Sequence, residues 1–137
     1  MKYIRRAQYY ETDQMGIIHH SNYIKWMEEA RIRYMDQIGF SYIDVEKNGV
    51  ISPVVDISIS YKKPVHFDDE IEINVDVLKY NGITLEFKYE FFNITRNEIC
   101  TTAQSRHCFM KEGELISLKR SLPGLHAAIC QNINIQE

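Results

Sequence analysis

The spacing of apolar residues changes from near four to two after the first third of this chain, and that change limits the folds open to it. Between Tyr23 and Ile38, apolar residues recur at intervals of three or four, which predicts an amphipathic helix. From Val55 to Phe91 they alternate with polar residues, which predicts β-strands with one wet face. A helix with one apolar stripe and a sheet with one apolar face bury both surfaces by packing together. The sequence therefore predicts an α+β fold.

Turn-forming residues set the predicted limits of these elements. The first strand is predicted over Lys2–Tyr9. The long helix is predicted to begin with a cap at Ser21 or Asn22 and to end at Gly39 in a left-handed conformation. A hairpin turn is predicted at Asn81-Gly82, since both residues tolerate positive φ. The remaining predictions are a short helix over 42–47, a last strand over 99–111 covered on both faces, and a short helix over 125–130.

The predicted order is a strand, a long helix and then an antiparallel meander of strands. Three architectures accommodate this order: a hot-dog roll, a cystatin-like sheet and other helix-grip folds. Periodicity alone does not choose among them. With 137 residues the chain is long enough to bury one core, and we expect a single domain over 1–137.

Charge and composition argue against a nucleic-acid partner and against membrane insertion. The 16 Lys and Arg residues against 19 Asp and Glu give a net charge of −3, whereas nucleic-acid-binding proteins usually present a strongly basic surface. No long apolar run is present, so we expect no membrane span. Three cysteines without C-x-x-C spacing predict reduced thiols, a cytoplasmic location and no metal site.

The most unusual segment, residues 9–23, lies between the first predicted strand and the helix. It contains two acids, two histidines and a glycine. The first N–H groups of a helix are unpaired and carry partial positive charge, so they polarise a carbonyl held against them. A carboxylate such as that of Asp13, facing the carbonyl, can attack it or activate a water. The competing interpretation is an Asx turn at Asp13 in front of a capped helix.

One run of residues in this segment resembles the signature of hot-dog-fold acyl-CoA thioesterases, of the 4-hydroxybenzoyl-CoA thioesterase type. The matching residues, with x for any other, are Tyr10-Glu11-Thr12-Asp13-x-x-Gly16-Ile17-Ile18-x-His20-x-x-Tyr23, then Met27-Glu28-x-Ala30-Arg31. Later matches are Tyr61-Lys62-Lys63-Pro64, Asp69 and Leu122-Pro123. The resemblance implies an antiparallel sheet of about five strands wrapped around one long helix, with thioester hydrolysis between paired subunits.

The resemblance also implies roles for individual residues. Asp13 matches the family's catalytic carboxylate, acting as nucleophile or general base. The backbone N–H of His20 matches the donor that polarises the thioester carbonyl, and the His20 imidazole is typical of the tol-pal-associated branch. Gly16 fits a turn where only a small residue lets the acyl group approach. Tyr23 matches a position near the pocket, and Met15 stands where that branch often has a small residue.

Other side chains complete the predicted site. Lys62 and Lys63 are predicted to hold the phosphates of coenzyme A, and Glu28 is a second candidate for the catalytic carboxylate. His19 and His20 are not predicted to share a metal ion, because adjacent residues of a helix or strand point apart. Further candidates for the coenzyme A phosphates are Lys111, Lys119 and Arg120.

We therefore predict an acyl-CoA thioesterase that uses no metal or other cofactor and assembles as a homodimer or homotetramer. The alternatives are a non-catalytic module that binds acyl-CoA or an acyl carrier, and a hot-dog dehydratase. The intact Asp13 argues against the binding module, and the dehydratase segment His-x-x-x-x-Pro-Gly is not visible. The residues predicted to line a pocket for short to medium aliphatic acyl chains are Met15, Tyr23, Trp26 and Met27.

Overall fold

The computed structural model describes residues 1–136, which form two antiparallel sheets and four helices over that range. In chain order the elements are β1 (Lys2–Arg6), α1 (Ser21–Gln37), α2 (Tyr42–Lys47), β2 (Val50–Ile51), β3 (Val54–Tyr61), β4 (Glu70–Tyr80), β5 (Thr84–Asn93), β6 (Glu98–Cys108), β7 (Met110–Lys111), β8 (Glu114–Leu115), α3 (Leu118–Ser121) and α4 (Pro123–Gln136). The larger sheet has the order β1-β4-β5-β6-β3, and the smaller one the order β2-β7-β8. No helix within residues 1–136 is both long and apolar enough to cross a membrane.

The described chain divides into two compact units, and the first carries the segment with the unusual composition. It comprises residues 1–31, 58–76 and 88–104. Its core joins the first part of α1 to the strands: the Trp26 ring stacks on Phe91 at 6.5 Å between centroids, and Tyr23 packs against both rings. From β4, Ile71 and Ile73 are also fully buried, as the period of two predicts.

The second unit comprises residues 32–57, 77–87 and those from 105 onward. The end of α1 packs here through Tyr34, whose ring meets Phe87 at 5.2 Å in an edge-to-face contact. The Tyr80 hydroxyl and His126 Nδ1 lie 2.6 Å apart. The contact with Phe87 helps to bury Tyr34, which belongs to the predicted helix stripe.

Several predicted boundaries agree with the structure. α2 covers the residues predicted for the short helix, and Ser41 caps it by accepting a hydrogen bond from the Asp44 N–H. Gly39 follows α1 with a φ of 86°, the left-handed conformation predicted there. Of the predicted helix stripe, Tyr23 and Met27 are buried, together with Ala30 and Tyr34.

The strand predicted to be half-buried from Val55 onward has that pattern only in its middle, where half-buried Ile57 and Ile59 alternate with exposed serines. Its two ends are exposed. Val54, Val55 and Tyr61 are 45%, 50% and 49% exposed. The reason is position, because β3 lies at the edge of the larger sheet. The prediction that the last strand is covered on both faces is also wrong, since Gln104 and Arg106 of β6 are exposed.

The start of α1, the hairpin turn and two element boundaries differ from the prediction. Ser21 and Asn22 are not caps, since α1 already begins at Ser21 and the Ser21 hydroxyl bonds His19 Nδ1. At the β4–β5 turn only Gly82 has positive φ, while the Asn81 side chain accepts N–H donors of the following residues. β1 ends at Arg6 rather than at Tyr9, and α4 extends beyond the predicted 125–130.

Candidate active site

Residues 12–20 form a loop between a 3₁₀ turn at Tyr9–Glu11 and the start of α1. Within it, the Asp13 N–H donates to the Ile17 carbonyl at 2.8 Å, and the Gly16 N–H donates to the Asp13 carbonyl at 3.0 Å. Gly16 has a φ of 77°, which favours glycine. A Cβ there would meet no protein atom within 4 Å, so the backbone angle, not crowding by protein atoms, explains the glycine.

The Asp13 carboxylate is half-buried and is held at one oxygen only. Its Oδ1 accepts the Met15 N–H at 2.8 Å, which is the Asx turn of the competing interpretation. Its Oδ2 accepts no hydrogen bond from residues 1–136. The turn therefore fixes the carboxylate and leaves its second oxygen available to a ligand.

The residue immediately before α1 is His20, which presents its backbone N–H at the positive end of the helix. In the part of the chain that the structure describes, this N–H donates to no acceptor. The His20 carbonyl accepts the Tyr61 hydroxyl at 3.2 Å and the Tyr23 N–H at 3.3 Å. The carbonyl side of His20 is thus anchored, and its N–H is available to a ligand.

The segment that follows β3 runs beside the loop. The Ile18 N–H donates to the Val65 carbonyl at 2.8 Å, which joins the two segments. The N–H groups of Lys62 and Lys63 both donate to the Cys100 carbonyl, at 2.9 and 3.0 Å. These bonds place the two lysines next to the loop that carries Asp13.

A cleft of about 470 Å³ lies between the loop and this segment, within the size range of small-molecule sites. The residues that line it are Asp13, Met15, Ile17, Ile18, His20, Tyr23, Tyr61, Lys62, Lys63 and Pro64.

The cleft brings together most of the predicted site residues. Asp13, Met15, His20, Tyr23, Lys62 and Lys63 line it, and Gly16 belongs to the turn that carries Asp13. Two residues predicted to line the acyl pocket do not, because Trp26 and Met27 are fully buried in the core. Glu28 is exposed and does not line the cleft, and neither do Lys111, Lys119 and Arg120.

Sequence reasoning assigned no role to four residues that line the cleft. It also did not identify the residue that anchors the loop by hydrogen bonds. The sequence places Tyr61 on the apolar side of a strand, and Ile17, Ile18 and Pro64 received no role. The signal for Tyr61 was its place in the Tyr61-Lys62-Lys63-Pro64 match. This anchoring residue is Glu11, which is only 4% exposed. No feature of the neighbouring sequence indicates that burial.

The two histidines do not behave as adjacent helical residues. The His19 and His20 rings stack at 4.1 Å between centroids, contrary to the expectation that they point apart. They lie just before α1 and not within it, so helical geometry does not separate them. Among residues 1–136, no three His, Cys, Asp or Glu side chains form a group that could hold a metal ion.

Burial controls the ionisation of the two tyrosines that line the cleft. Burial raises the pKa of Tyr61, and burial is also the largest cause of the raised pKa of Tyr23. Both hydroxyls therefore stay protonated at neutral pH, and the Tyr61 hydroxyl acts as a donor to the His20 carbonyl.

Comparison with known proteins identifies the family. The model of the thioesterase-like superfamily matches residues 8–124, most of the chain. The chain belongs to the thioesterase-like superfamily. A protein of Bacillus subtilis strain 168 named as an acyl-CoA thioesterase, YneP, is 42% identical over 124 residues, 89% of each chain. A protein of Aquifex aeolicus named as an esterase is 34% identical over 121 residues, 88% of this chain and 92% of the other.

A solved structure agrees with this membership of the thioesterase-like superfamily. The DHNA-CoA thioesterase from Staphylococcus aureus superimposes with a TM-score of 0.91 and 38% identity, over 98% of this chain and 93% of the other. The predicted α+β hot-dog fold, with a five-stranded antiparallel sheet and one long helix, is confirmed. The prediction that the chain is an enzyme of the acyl-CoA thioesterase class is also confirmed.

Proposed function

We propose that this chain hydrolyses an acyl-CoA thioester in the cleft beside Asp13. The observation that carries the proposal is that two groups with free hydrogen-bonding capacity line the same cleft. One is the Asp13 carboxylate, held at Oδ1 alone, and the other is the N–H of His20 at the start of α1. A donor for the developing oxyanion and a carboxylate facing the carbonyl are the two parts that thioester hydrolysis needs.

The proposed reaction begins with the thioester carbonyl oxygen accepting the His20 N–H. Asp13 then attacks the carbonyl carbon, the C–S bond breaks and coenzyme A leaves as the thiolate; water afterwards hydrolyses the acyl-aspartyl anhydride. In the alternative, Asp13 removes a proton from a water that attacks the same carbon. Both routes use the same two groups, and both leave a free acid and coenzyme A.

One edge of the cleft is basic and is available to the coenzyme A portion of the substrate. Lys62 and Lys63 are exposed, line the cleft and are fixed through their backbone N–H groups. We propose that their ammonium groups attract the phosphates of the substrate, as positive charges along a cleft concentrate an anionic ligand.

The structure weakens the reasons for an aliphatic acyl preference. Trp26 and Met27 belong to the core, and Met15 is 76% exposed. The rest of the apolar lining consists of the rings of Tyr23 and Tyr61, which meet edge to face at 5.0 Å, with Ile17, Ile18 and Pro64 beside them. A planar acyl group fits against such rings, and the Staphylococcus aureus relative is named as a thioesterase of DHNA-CoA. We therefore propose DHNA-CoA as the first substrate to test.

The finer assignments are part of the same proposal. The Thr12-Asp13-x-x-Gly16 match and His20 support membership of the 4-hydroxybenzoyl-CoA type and its tol-pal-associated branch. Free thiols at Cys100, Cys108 and Cys130 are compatible with a cytoplasmic location. The exposed edge strand β3 supports assembly as a homodimer or homotetramer of single-domain chains.

The experiment is an assay for free thiol released from DHNA-CoA, benzoyl-CoA and a series of straight-chain acyl-CoAs. We expect catalytic release from at least one of them, with the aromatic thioesters turned over faster than the aliphatic ones. Binding of acyl-CoA without release would instead favour the non-catalytic binding module.

A further inference from the structure

Glu11 is a buried carboxylate beside the reactive loop, and every part of it is engaged. Its Oε1 accepts the Arg5 guanidinium at 2.8 Å and the Gln8 N–H at 2.8 Å. Its Oε2 accepts the indole N–H of Trp26 at 2.7 Å. The carboxylate therefore ties β1 to the first turns of α1, with the loop between them.

The backbone of Glu11 makes a second set of ties. Its carbonyl oxygen accepts the His19 N–H at 2.9 Å and the Asn22 side-chain amide at 2.9 Å. His19 directly precedes His20, and Glu11 itself stands two positions before Asp13. One residue thus restrains the chain on both sides of the proposed reacting groups.

The surroundings of Glu11 make this restraint stiff. Arg5 lies over the Trp26 ring at 4.6 Å, and its Nε also donates to Glu29 at 2.9 Å. Glu29 is held in turn by the Tyr3 hydroxyl at 2.8 Å. Burial opposes ionisation of Glu11, but its hydrogen bonds from Arg5, Trp26 and Gln8 outweigh that effect and lower its pKa.

We propose that Glu11 is a positioning residue for thioester hydrolysis, which holds the Asp13 carboxylate and the His20 N–H so that both face one thioester carbonyl. The inference rests on the proposed function, because it assigns Asp13 and His20 their roles. Glu11 does not line the cleft in which the substrate is proposed to bind. Its effect is geometric, and a displacement of about 1 Å at a reacting group lowers a rate by about a hundredfold.

The test compares Glu11→Gln with Glu29→Gln, its matched control. Both substitutions remove one carboxylate partner of Arg5, but only Glu11 is bonded to Trp26 and Gln8. We expect Glu11→Gln to lower kcat by about tenfold to a hundredfold while KM changes less than about threefold, since the substrate-binding residues remain. Glu29→Gln is expected to keep kcat within about threefold of the wild type.

A double-variant cycle separates positioning from a general loss of folding. If Glu11 acts through Asp13, adding Glu11→Gln to Asp13→Asn lowers the residual rate by less than about threefold. Trp26 is the only tryptophan of the chain, so its fluorescence reports the loss of the Glu11 contact. We expect a shifted emission maximum in Glu11→Gln and an unchanged one in Glu29→Gln.

Two results would contradict the proposal. An equal fall of kcat in Glu11→Gln and Glu29→Gln would overturn the positioning role, and a full additional loss when Glu11→Gln is added to Asp13→Asn would overturn the part of that role that acts through Asp13. If Glu11→Gln does not fold, Trp26→Phe serves instead, because it removes the indole donor to Oε2 and keeps an aromatic ring in the core. It is expected to lower kcat at least about fivefold, and unchanged kcat counts against the role. Wild-type turnover in Asp13→Asn alone would overturn the proposed catalytic role of Asp13, whatever Glu11→Gln does.

Discussion

At the scale of single residues, the loop leaves the groups proposed to react available, because other groups make the hydrogen bonds that hold its structure. Backbone atoms of Asp13, Gly16 and Ile17 close the turn, and Oδ1 of Asp13 accepts the Met15 N–H. Oδ2 is left without a bond from the described residues, and so is the N–H of His20. Such fixed but unsatisfied groups are what a site arranged in advance for a carbonyl requires.

Two buried carboxylates make the protein sensitive to acid. Asp69 is 3% exposed; burial opposes its ionisation, but the His66 N–H, Asn93 and Arg96 donate to its Oδ2 and lower its pKa, as the donors of Glu11 do. Because both pKa values are below those of the unfolded chain, their stabilisation is present at neutral pH. It is lost as pH falls from about 4.5 through the folded-state values.

We therefore expect the free energy of unfolding to fall steeply between about pH 5 and pH 3, as measured by urea denaturation at several pH values. Asp69→Asn is expected to be less stable at neutral pH and to show a shallower decline on acidification. A variant with the wild-type slope would show that Asp69 does not carry the acid sensitivity.

The two lysines at the cleft give a second prediction. Lys62→Ala/Lys63→Ala is expected to raise KM for an acyl-CoA by about threefold to tenfold, because each exposed charge contributes up to about 1 kcal/mol. An acyl thioester of N-acetylcysteamine lacks the nucleotide phosphates, so its KM is expected to stay the same. Lys119→Ala, whose lysine does not line the cleft, serves as the control. Equal effects on both thioesters would refute a role in phosphate binding.

At the scale of elements, periodicity predicted which segments are helices and strands, because packing repeats with the pitch of the element. It gave α2 correctly, and it assigned the buried faces of α1 and β4. It did not predict that both ends of β3 are exposed, since an edge strand can carry the same alternation as a central one. Exposure there depends on sheet order, which no local pattern contains.

The sequence predicts the site residues that lie close together in the chain. It does not predict those that only the folded structure brings to the cleft. Asp13 and His20 belong to one short segment, so their proximity follows from the sequence. Tyr61 reaches the same cleft from β3, and only the folded chain shows its bond to the His20 carbonyl. The prediction that Trp26 lines the acyl pocket is wrong, because Trp26 is buried in the core. A residue in the first turns of a helix can point into the core or into the cleft, and the spacing of apolar residues does not distinguish the two.

The turn of the loop is an element with its own prediction. Gly16 has a φ of 77°, so Gly16→Ala is expected to lower the free energy of unfolding by about 1 kcal/mol. The added Cβ meets no protein atom within 4 Å, so the cost stays near that of the backbone alone. Chemical denaturation measures it, and an unchanged midpoint would show that the turn adopts another conformation without penalty.

At the scale of the whole molecule, the open edge of the sheet predicts assembly. β3 exposes Val54 and Val55 at the sheet edge, and proteins normally cover or pair such edges. We expect light scattering at micromolar concentration to give the mass of a dimer or tetramer, and Val55→Lys to shift it toward the monomer. A wild-type mass of one chain, 16.2 kDa, would contradict the assembly.

The thiol-release rate of Asp13→Asn beside that of the wild type, on whichever acyl-CoA the wild type turns over best, tests the proposed catalysis most directly. The amide is neither a nucleophile nor a base, but it has nearly the shape of the carboxylate and retains an oxygen for the Met15 N–H. We expect a fall in kcat of about a thousandfold or more, with the fold intact by circular dichroism and KM changed little. A variant that releases coenzyme A at a rate near that of the wild type would contradict the central role of Asp13.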